Sequence, residues 1–202
     1  IHLVSNEQAK KRVLQLGEKE QSVYVIGSPD IDIMKSENLP SLKKVKERYE
    51  IDFESYSIVM YHPVTTEVGK LKHNISEFVN ALIETNRKYV VIYPNNDEGS
   101  NIILEEYDKL EGDPNFKIYP SLRFEYFLTL LKNSQFIIGN SSAGIREAEI
   151  YGVPAIDIGN RQQNRYDKNQ ENIIHVNDNK IEIMGAIESI DGLKIIESET
   201  FG

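Results

Sequence analysis

Short apolar runs alternate along the chain with amphipathic segments. Seven runs have the length of β-strands and end at turn-forming or polar residues: 22–27, 57–62, 89–94, 116–120, 136–139, 154–159 and 172–176. Helical periodicity predicts helices over 6–16, 41–49, 69–86 and 180–189. Nearly continuous apolar strands separated by helices are typical of a parallel sheet that is covered on both faces. The pattern therefore predicts the α/β class, with a doubly wound, Rossmann-like parallel sheet.

The chain is predicted to divide near residue 35. Strand 22–27 precedes a stretch with linker character that contains Pro29 and Pro40, and domain boundaries often have this composition. Residues 36–202 contain the doubly wound sheet. Because the sequence starts without Met inside a predicted strand and stops at "IIESETFG", we expect a piece of a longer protein, truncated at both ends.

Composition narrows the classes of function. The 202 residues are 40% hydrophobic, and no apolar run approaches the roughly 18 residues of a membrane span, so we expect a soluble, cytoplasmic protein without membrane association. Acidic residues outnumber basic ones 32 to 23, which argues against nucleic-acid binding and requires any anion site to be local. The absence of Cys excludes disulfides and Cys-ligated zinc, and the four His have no metal-ligand spacing.

Polar segments follow five of the predicted strands. They are "HPVTT", "NNDEGS", "SLRFEY", "NSSAG" and "NRQQNR". Ligands of doubly wound sheets bind beyond the carboxyl ends of the strands, where the winding reverses. We therefore expect these five segments to face one edge of the sheet. P-loop and dinucleotide fingerprints and the G-x-S-x-G elbow are absent from the sequence, which argues against three common enzyme classes.

The segment "GNSSAGIRE" has the composition of an anion site at the start of a helix. Ser141 or Ser142 is expected to cap the helix, whose unpaired N–H groups favour phosphate, and Gly139 and Gly144 let an anion approach the backbone. Glu147 could accept hydrogen bonds from ribose hydroxyls. The same residues equally describe a capped helix with a solvated glutamate, and this segment alone does not decide.

Three further strand ends carry candidate side chains. Arg161 and Arg165 could clamp a diphosphate, or they form a solvated basic turn. His62, fixed by the following proline, could act as acid, base or hydrogen-bond donor, or it is structural. Thr65 and Thr66 are expected to cap helix 69–86, and the segment 95–98 is expected to cap the next helix rather than to bind metal.

Taken together, the motifs resemble one enzyme family. The segments "GEKEQSVYVIGSPDID", "HPVTTE", "YPNNDEGS", "IIGNSSAGIREAEIYGVPAIDIGNRQ" and "ENIIHV" are similar, in this order, to the hydrolysing UDP-N-acetylglucosamine 2-epimerases of sialic-acid and legionaminic-acid biosynthesis. Non-hydrolysing relatives usually have Asp-Ser-Gly-Gly where this chain has "NSSA" at 140–143. The resemblance implies a GT-B-type enzyme with two Rossmann-like domains. Residues 1–35 would be the end of the N-terminal domain and the linker, and 36–202 the UDP-binding domain without its final helix.

The resemblance also implies a reaction and a set of site residues. The family removes the C2 proton of UDP-N-acetylglucosamine, eliminates UDP and adds water, which releases N-acetylmannosamine, and no metal or redox cofactor is expected. The implied assignments are catalytic His62, substrate-binding Ser141, Ser142, Gly144, Glu147 and Arg161, and the further candidates Asn95, Phe124 and Arg165. The carboxylates that transfer protons would belong to the N-terminal domain, so this chain alone is expected to bind UDP without turnover.

Several alternatives stay open at this point. The chain could be the donor-binding domain of a GT-B glycosyltransferase, a non-hydrolysing 2-epimerase, or a non-catalytic nucleotide-binding module. The expected partner is a UDP-sugar, either UDP-N-acetylglucosamine or a UDP-diacetamido sugar, and the full-length protein is a possible homo-oligomer.

Overall fold

The computed structural model describes residues 1–163, 165–166 and 171–193. The strands are β1 His2–Val4, β2 Val23–Val25, β3 Ser57–Met60, β4 Tyr89–Ile92, β5 Phe116–Tyr119, β6 Ile137–Gly139, β7 Ala155–Ile158 and β8 Ile173–Val176. The α-helices are α1 Glu7–Gln15, α2 Pro29–Met34, α3 Leu42–Tyr49, α4 Val68–Glu84, α5 Ser100–Tyr107, α6 Phe124–Lys132, α7 Glu147–Ile150 and α8 Lys180–Ser189.

The main sheet has six parallel strands in the order β5-β4-β3-β6-β7-β8. The chain winds from β3 outward to β5 and then returns to place β6 beside β3. The winding therefore reverses between β3 and β6, and loops after these two strands border the crevice in which such sheets bind ligands. The predicted doubly wound α/β fold is confirmed.

Apolar side chains cover both faces of this sheet because alternate residues of each strand point in opposite directions. In β3, Val59 belongs to the core on the side of α4, α5 and α8, whereas Ile58 belongs to the core on the side of α3, α6 and α7. Both side chains are fully buried. Two-sided burial explains why the strands are continuous apolar runs rather than alternating ones.

Side chains cap α1 and α3, whereas two caps that the sequence predicts are absent. The Asn6 side chain accepts from the Ala9 N–H at 2.8 Å, and the Ser41 hydroxyl accepts from the Lys44 N–H at 3.4 Å. The expected caps at Thr65 and Thr66 are wrong, because both lie within a 3-10 turn and α4 has no side-chain cap. The expected cap from 95–98 is also wrong, because Gly99, with φ of 95°, precedes α5.

Residues 28–40 pack against the main domain. The stretch includes α2, whose Met34 side chain is buried in the same core cluster as Val45 of α3. The Tyr151 hydroxyl donates to the Met34 carbonyl at 2.9 Å, and Arg146 Nη2 lies 3.5 Å from Asp30 Oδ2. A division at residue 35 stays a prediction.

The first two strands, β1 and β2, form a second sheet that is separate from the main sheet. β1 pairs with β2 in parallel, and α1 connects them.

Across the described ranges, none of the helices is both long and apolar enough to cross a bilayer.

Candidate functional site

Loops that follow four neighbouring strands are joined by direct hydrogen bonds at one edge of the sheet. His62 follows β3, Asn95 follows β4, Asn140 follows β6, and Arg161 follows β7. The bonds run from Asn95 to His62, from His62 to Asn140, and from Arg161 to Asn140. The structure thus brings together three of the predicted site residues through one residue, Asn140, that had no predicted role.

His62 is held as a neutral imidazole. The backbone N–H of Asn95 donates to His62 Nδ1 at 3.1 Å. Because an amide N–H can only donate, Nδ1 is an acceptor and the ring hydrogen lies on Nε2. Burial, reinforced by the positive charge of Arg161 and opposed by Asp97, lowers the pKa of His62 to about 4. At neutral pH the ring is an uncharged hydrogen-bond donor.

Asn140 is almost fully buried, at 1% exposure, and connects three loops. Its Oδ1 accepts from the His62 N–H at 2.7 Å, and its Nδ2 donates to the His62 carbonyl at 2.9 Å. Its own carbonyl accepts from Arg161 Nη1 at 3.1 Å and from Gln162 Nε2 at 2.7 Å. The signal that could have identified it is an amide directly after a buried strand that ends in glycine.

The serine loop, residues 140–146, contains a 3-10 turn where the sequence predicted the first turn of a helix. Ser141 Oγ accepts from the Ala143 N–H at 3.3 Å and caps a 3-10 turn, Ser142–Gly144. Arg146 has φ of −115° and ψ of −72°, so the helix starts anew at Glu147 and has no side-chain cap. The expected continuous helix from the serines is therefore wrong, and the expected cap at Ser141 is confirmed for the turn alone.

The two glycines of this segment face the protein rather than the open edge. A Cβ atom at Gly139, which has φ of 138°, would lie 2.0 Å from the Met60 carbonyl oxygen. A Cβ atom at Gly144 would lie 3.5 Å from the Cβ of Ala155. Glycine is thus required at 139 by the close approach of β6 to β3, and the expected approach of an anion to this backbone stays a prediction.

Glu147 has an unsatisfied carboxylate oxygen. Its Oε2 is buried and has no hydrogen-bond partner among the described residues. Burial raises the pKa of Glu147, and its own backbone N–H and Arg146 oppose that effect. A buried acceptor without a donor is costly, so this oxygen is suited to receive hydroxyl or amide hydrogens from a ligand.

Arg161 and Arg165 form a local positive pair in an acidic protein. Burial and the neighbouring charge of Arg165 both lower the pKa of Arg161, and Asp97 opposes them. Within the described ranges, neither arginine lies within ion-pair distance of a carboxylate. Guanidinium groups that have no carboxylate partner among the described residues are suited to bind an anion.

Two of the further candidates are less closely connected. Arg165 reaches the cluster through Gln162, whose Oε1 lies 3.5 Å from Arg165 Nη1. Phe124 begins α6 and is 37% exposed, and no hydrogen bond or ring contact of the described residues links it to His62 or the serine loop.

A buried aspartate beneath the site was not predicted. Asp157, which is 4% exposed, accepts a hydrogen bond from the Tyr166 hydroxyl at 2.8 Å and lies 3.2 Å from His175 Nδ1. Burial raises the pKa of Asp157, and the bonds from Tyr166 and His175 oppose the rise. Tyr166 follows the arginines in the chain, so this contact ties their loop to β7. An acidic residue within the apolar run 154–159 was the available signal.

The fold and the polar edge define a doubly wound α/β protein whose candidate site lies at the switch point of the sheet. Residues 1–199 match the family described as UDP-N-acetylglucosamine 2-epimerase, and the chain belongs to this family.

Individual relatives agree with this membership. A UDP-N-acetylglucosamine 2-epimerase of Neisseria meningitidis serogroup B is 48% identical over 98% of this chain and 52% of its own length. A UDP-N,N'-diacetylbacillosamine 2-epimerase (hydrolyzing) of Legionella pneumophila is 30% identical over 100% of this chain and 53% of its own. The chain spans about half the length of the curated relatives it matches.

A solved structure shows the same fold. The crystal structure of a UDP-GlcNAc 2-epimerase from Neisseria meningitidis bound to UDP-GlcNAc has a TM-score of 0.72 at 17% identity, covering 97% of this chain and 56% of that one. This likeness shows a shared fold over about half of that chain.

Proposed function

We propose that this chain is the UDP-binding part of a hydrolysing UDP-N-acetylglucosamine 2-epimerase. The full-length enzyme converts UDP-N-acetylglucosamine to N-acetylmannosamine and UDP by elimination and hydration. Family membership and the polar cluster at the switch point of the sheet support this proposal. The reaction changes no overall oxidation state, so it requires no redox cofactor.

In this proposal the serine loop and the arginines bind the diphosphate. Ser141 and Ser142 supply hydroxyl donors, and Arg161 supplies a guanidinium group that lacks a carboxylate partner within the described ranges. Such charge-assisted hydrogen bonds are the strong ones in phosphate recognition. The local positive charge also explains how a chain with a net charge of −9 attracts a polyanion.

The observation that carries the proposal is the buried Oε2 of Glu147, which has no hydrogen-bond partner among the described residues. Ribose presents two neighbouring hydroxyl groups, and a carboxylate at the end of a diphosphate-binding loop can accept hydrogens from both. Their donation replaces the solvation that Glu147 loses through burial. A nucleotide is therefore a better ligand for this edge than a simple phosphate.

His62 would assist departure of the leaving group. Proton removal from C2 sends the electron pair into the C1–C2 bond, and the C1–O bond breaks with its electrons remaining on the β-phosphate of UDP. The negative charge that develops there is stabilised by the Nε2–H of neutral His62 and by Arg161. Carboxylates outside this chain would remove the proton and guide the addition of water.

Two features favour the hydrolysing type. The sequence "NSSA" replaces the Asp-Ser-Gly-Gly usual in non-hydrolysing relatives, and the Legionella pneumophila relative is named as hydrolysing. The identity of the sugar, UDP-N-acetylglucosamine rather than a UDP-diacetamido sugar, is part of the proposal.

Titration calorimetry of the full-length protein with UDP tests nucleotide binding. We expect Glu147→Gln to weaken UDP binding roughly 10- to 100-fold, because a hydrogen bond to a charged group contributes about 1.5–3 kcal/mol. Glu125→Gln makes the same charge change at an exposed position on α6 and should leave the affinity unchanged. Equal affinities for the wild type and Glu147→Gln would contradict the assignment of Glu147 to the ribose.

A further inference from the structure

Within the part of the chain that the structure describes, Asn140 hydrogen-bonds to both the histidine and an arginine of the candidate site. We propose that Asn140 is the positioning residue of this site: its side-chain amide fixes the backbone of His62, and its carbonyl oxygen fixes Arg161. The inference deepens the proposed function and rests on it for the identity of the ligand.

The side chain of Asn140 forms two hydrogen bonds with the backbone of His62. Its Oδ1 accepts from the N–H of His62, and its Nδ2 donates to the carbonyl of the same residue, although 78 positions separate the two in sequence. A primary amide offers one acceptor and one donor group in one plane, which matches the two backbone groups of His62. A carboxylate lacks the donor, and an apolar side chain lacks both.

The backbone of Asn140 continues the contact between the strands. Its N–H donates to the Met60 carbonyl at 3.1 Å, beyond the last ladder pair of β3 and β6, Met60 with Gly139. This backbone bond and the two side-chain bonds of Asn140 hold residues 60–62 beside residue 140. They extend the contact between the two chain segments beyond the last ladder pair of β3 and β6. The direction of the His62 ring, already fixed at Nδ1 by Asn95, depends on this backbone being held.

The carbonyl of Asn140 fixes the arginine loop. It accepts from Arg161 Nη1 at 3.1 Å and from Gln162 Nε2 at 2.7 Å, so both of its lone pairs are used. Gln162 is fully buried. Guanidinium has five N–H donors, and using one on Asn140 orients the group while leaving others for a ligand. Ser141 is the next residue in the chain, so one buried asparagine adjoins both the serine loop and Arg161.

The first test uses ligand-free, full-length protein, so its outcome does not depend on the proposed function. Nitrogen NMR of the histidines, with His62 assigned by its loss in His62→Gln, reports the tautomer and titration of the ring. We expect wild-type His62 to have Nε2 protonated and Nδ1 bare. Asn140→Leu should give a mixture of tautomers and move the pKa of His62 from about 4 toward its ordinary 6.5, because the buried pocket opens.

Asn172→Leu is the matched control. Asn172 is also buried, at 5% exposure, but it precedes β8 and so lies at the opposite edge of the sheet. Its substitution should leave the tautomer and pKa of His62 unchanged. A His62 ring with the wild-type tautomer and titration in folded Asn140→Leu would overturn the proposal.

The second test measures UDP affinity by calorimetry. We expect Asn140→Leu to weaken binding about tenfold or more, and Asn172→Leu to leave it within twofold of the wild type. If Asn140→Leu does not fold, Gln162→Met removes one donor to the Asn140 carbonyl at similar volume and should weaken binding by about threefold or more. Wild-type affinity in the folded variant would overturn the proposal. Absence of UDP binding by the wild type would instead overturn the proposed function, and the NMR test would still decide the role of Asn140.

Discussion

Burial shifts the pKa of the ionisable side chains at this sheet edge. It lowers the pKa of His62 and Arg161 and raises the pKa of Glu147. The sequence could predict these residues because each follows a strand end and carries suitable chemistry. Its position after a strand that ends in glycine marked Asn140, but the role of Asn140 could not be predicted. That role depends on contacts with His62, 78 residues away, and with the arginine loop.

The change in the free energy of unfolding between pH 4 and 6.5 tests whether His62 is neutral in the folded protein. Its folded pKa of about 4 lies below the ordinary 6.5, so the unfolded chain binds the proton more tightly. The stabilisation from His62 is therefore complete above pH 6.5 and is lost as the pH falls through 4, by about 3 kcal/mol in total. Denaturant unfolding should show a steeper acid loss for the wild type than for His62→Gln.

His73→Gln is the matched control for this experiment, because His73 lies exposed on α4. Its stability should follow the wild type across the same pH range. Parallel curves for the wild type and His62→Gln would mean that His62 titrates normally in the folded protein.

At the scale of the elements, the seven predicted strands and the four predicted helices lie within about two residues of the observed bounds, whereas α2, α5, α6 and α7 had no predicted range. The predicted 57–62 strand is Ser57–Met60, and the predicted 180–189 helix is Lys180–Ser189. Failures occurred where a tight turn intervenes. A 3-10 turn precedes α4 and another lies in the serine loop, and hydroxyl-rich sequences do not distinguish such turns from capped helices.

The junction of β6 with β3 gives a prediction at this scale. Gly139→Ala would place a Cβ atom 2.0 Å from the Met60 carbonyl oxygen at a φ of 138°. Because both a backbone clash and an unfavourable conformation result, we expect the free energy of unfolding to fall by about 3 kcal/mol or more, measured by denaturant unfolding.

Gly69→Ala provides the comparison, since nothing lies within 4 Å of a Cβ atom there and the residue is in α4. Alanine should be neutral or stabilising by up to about 1 kcal/mol at that position. Equal stability of Gly139→Ala and the wild type would show that β6 can move away from β3 without cost.

At the scale of the whole molecule, the strand order decides which loops meet. Periodicity predicts strands but not their neighbours, so the adjacency of β3 and β6 could not be derived from it. That adjacency places His62 beside Asn140 at the point where the winding reverses. The general expectation that strand ends of a doubly wound sheet converge at one edge was sufficient to identify the region of the site, although not its contacts.

Product analysis with the full-length protein tests the proposed reaction. UDP-N-acetylglucosamine is incubated with the enzyme, and NMR identifies the sugars released. We expect free N-acetylmannosamine together with UDP, without any added acceptor. Formation of UDP-N-acetylmannosamine, or consumption of the substrate only when a sugar or lipid acceptor is supplied, would contradict it.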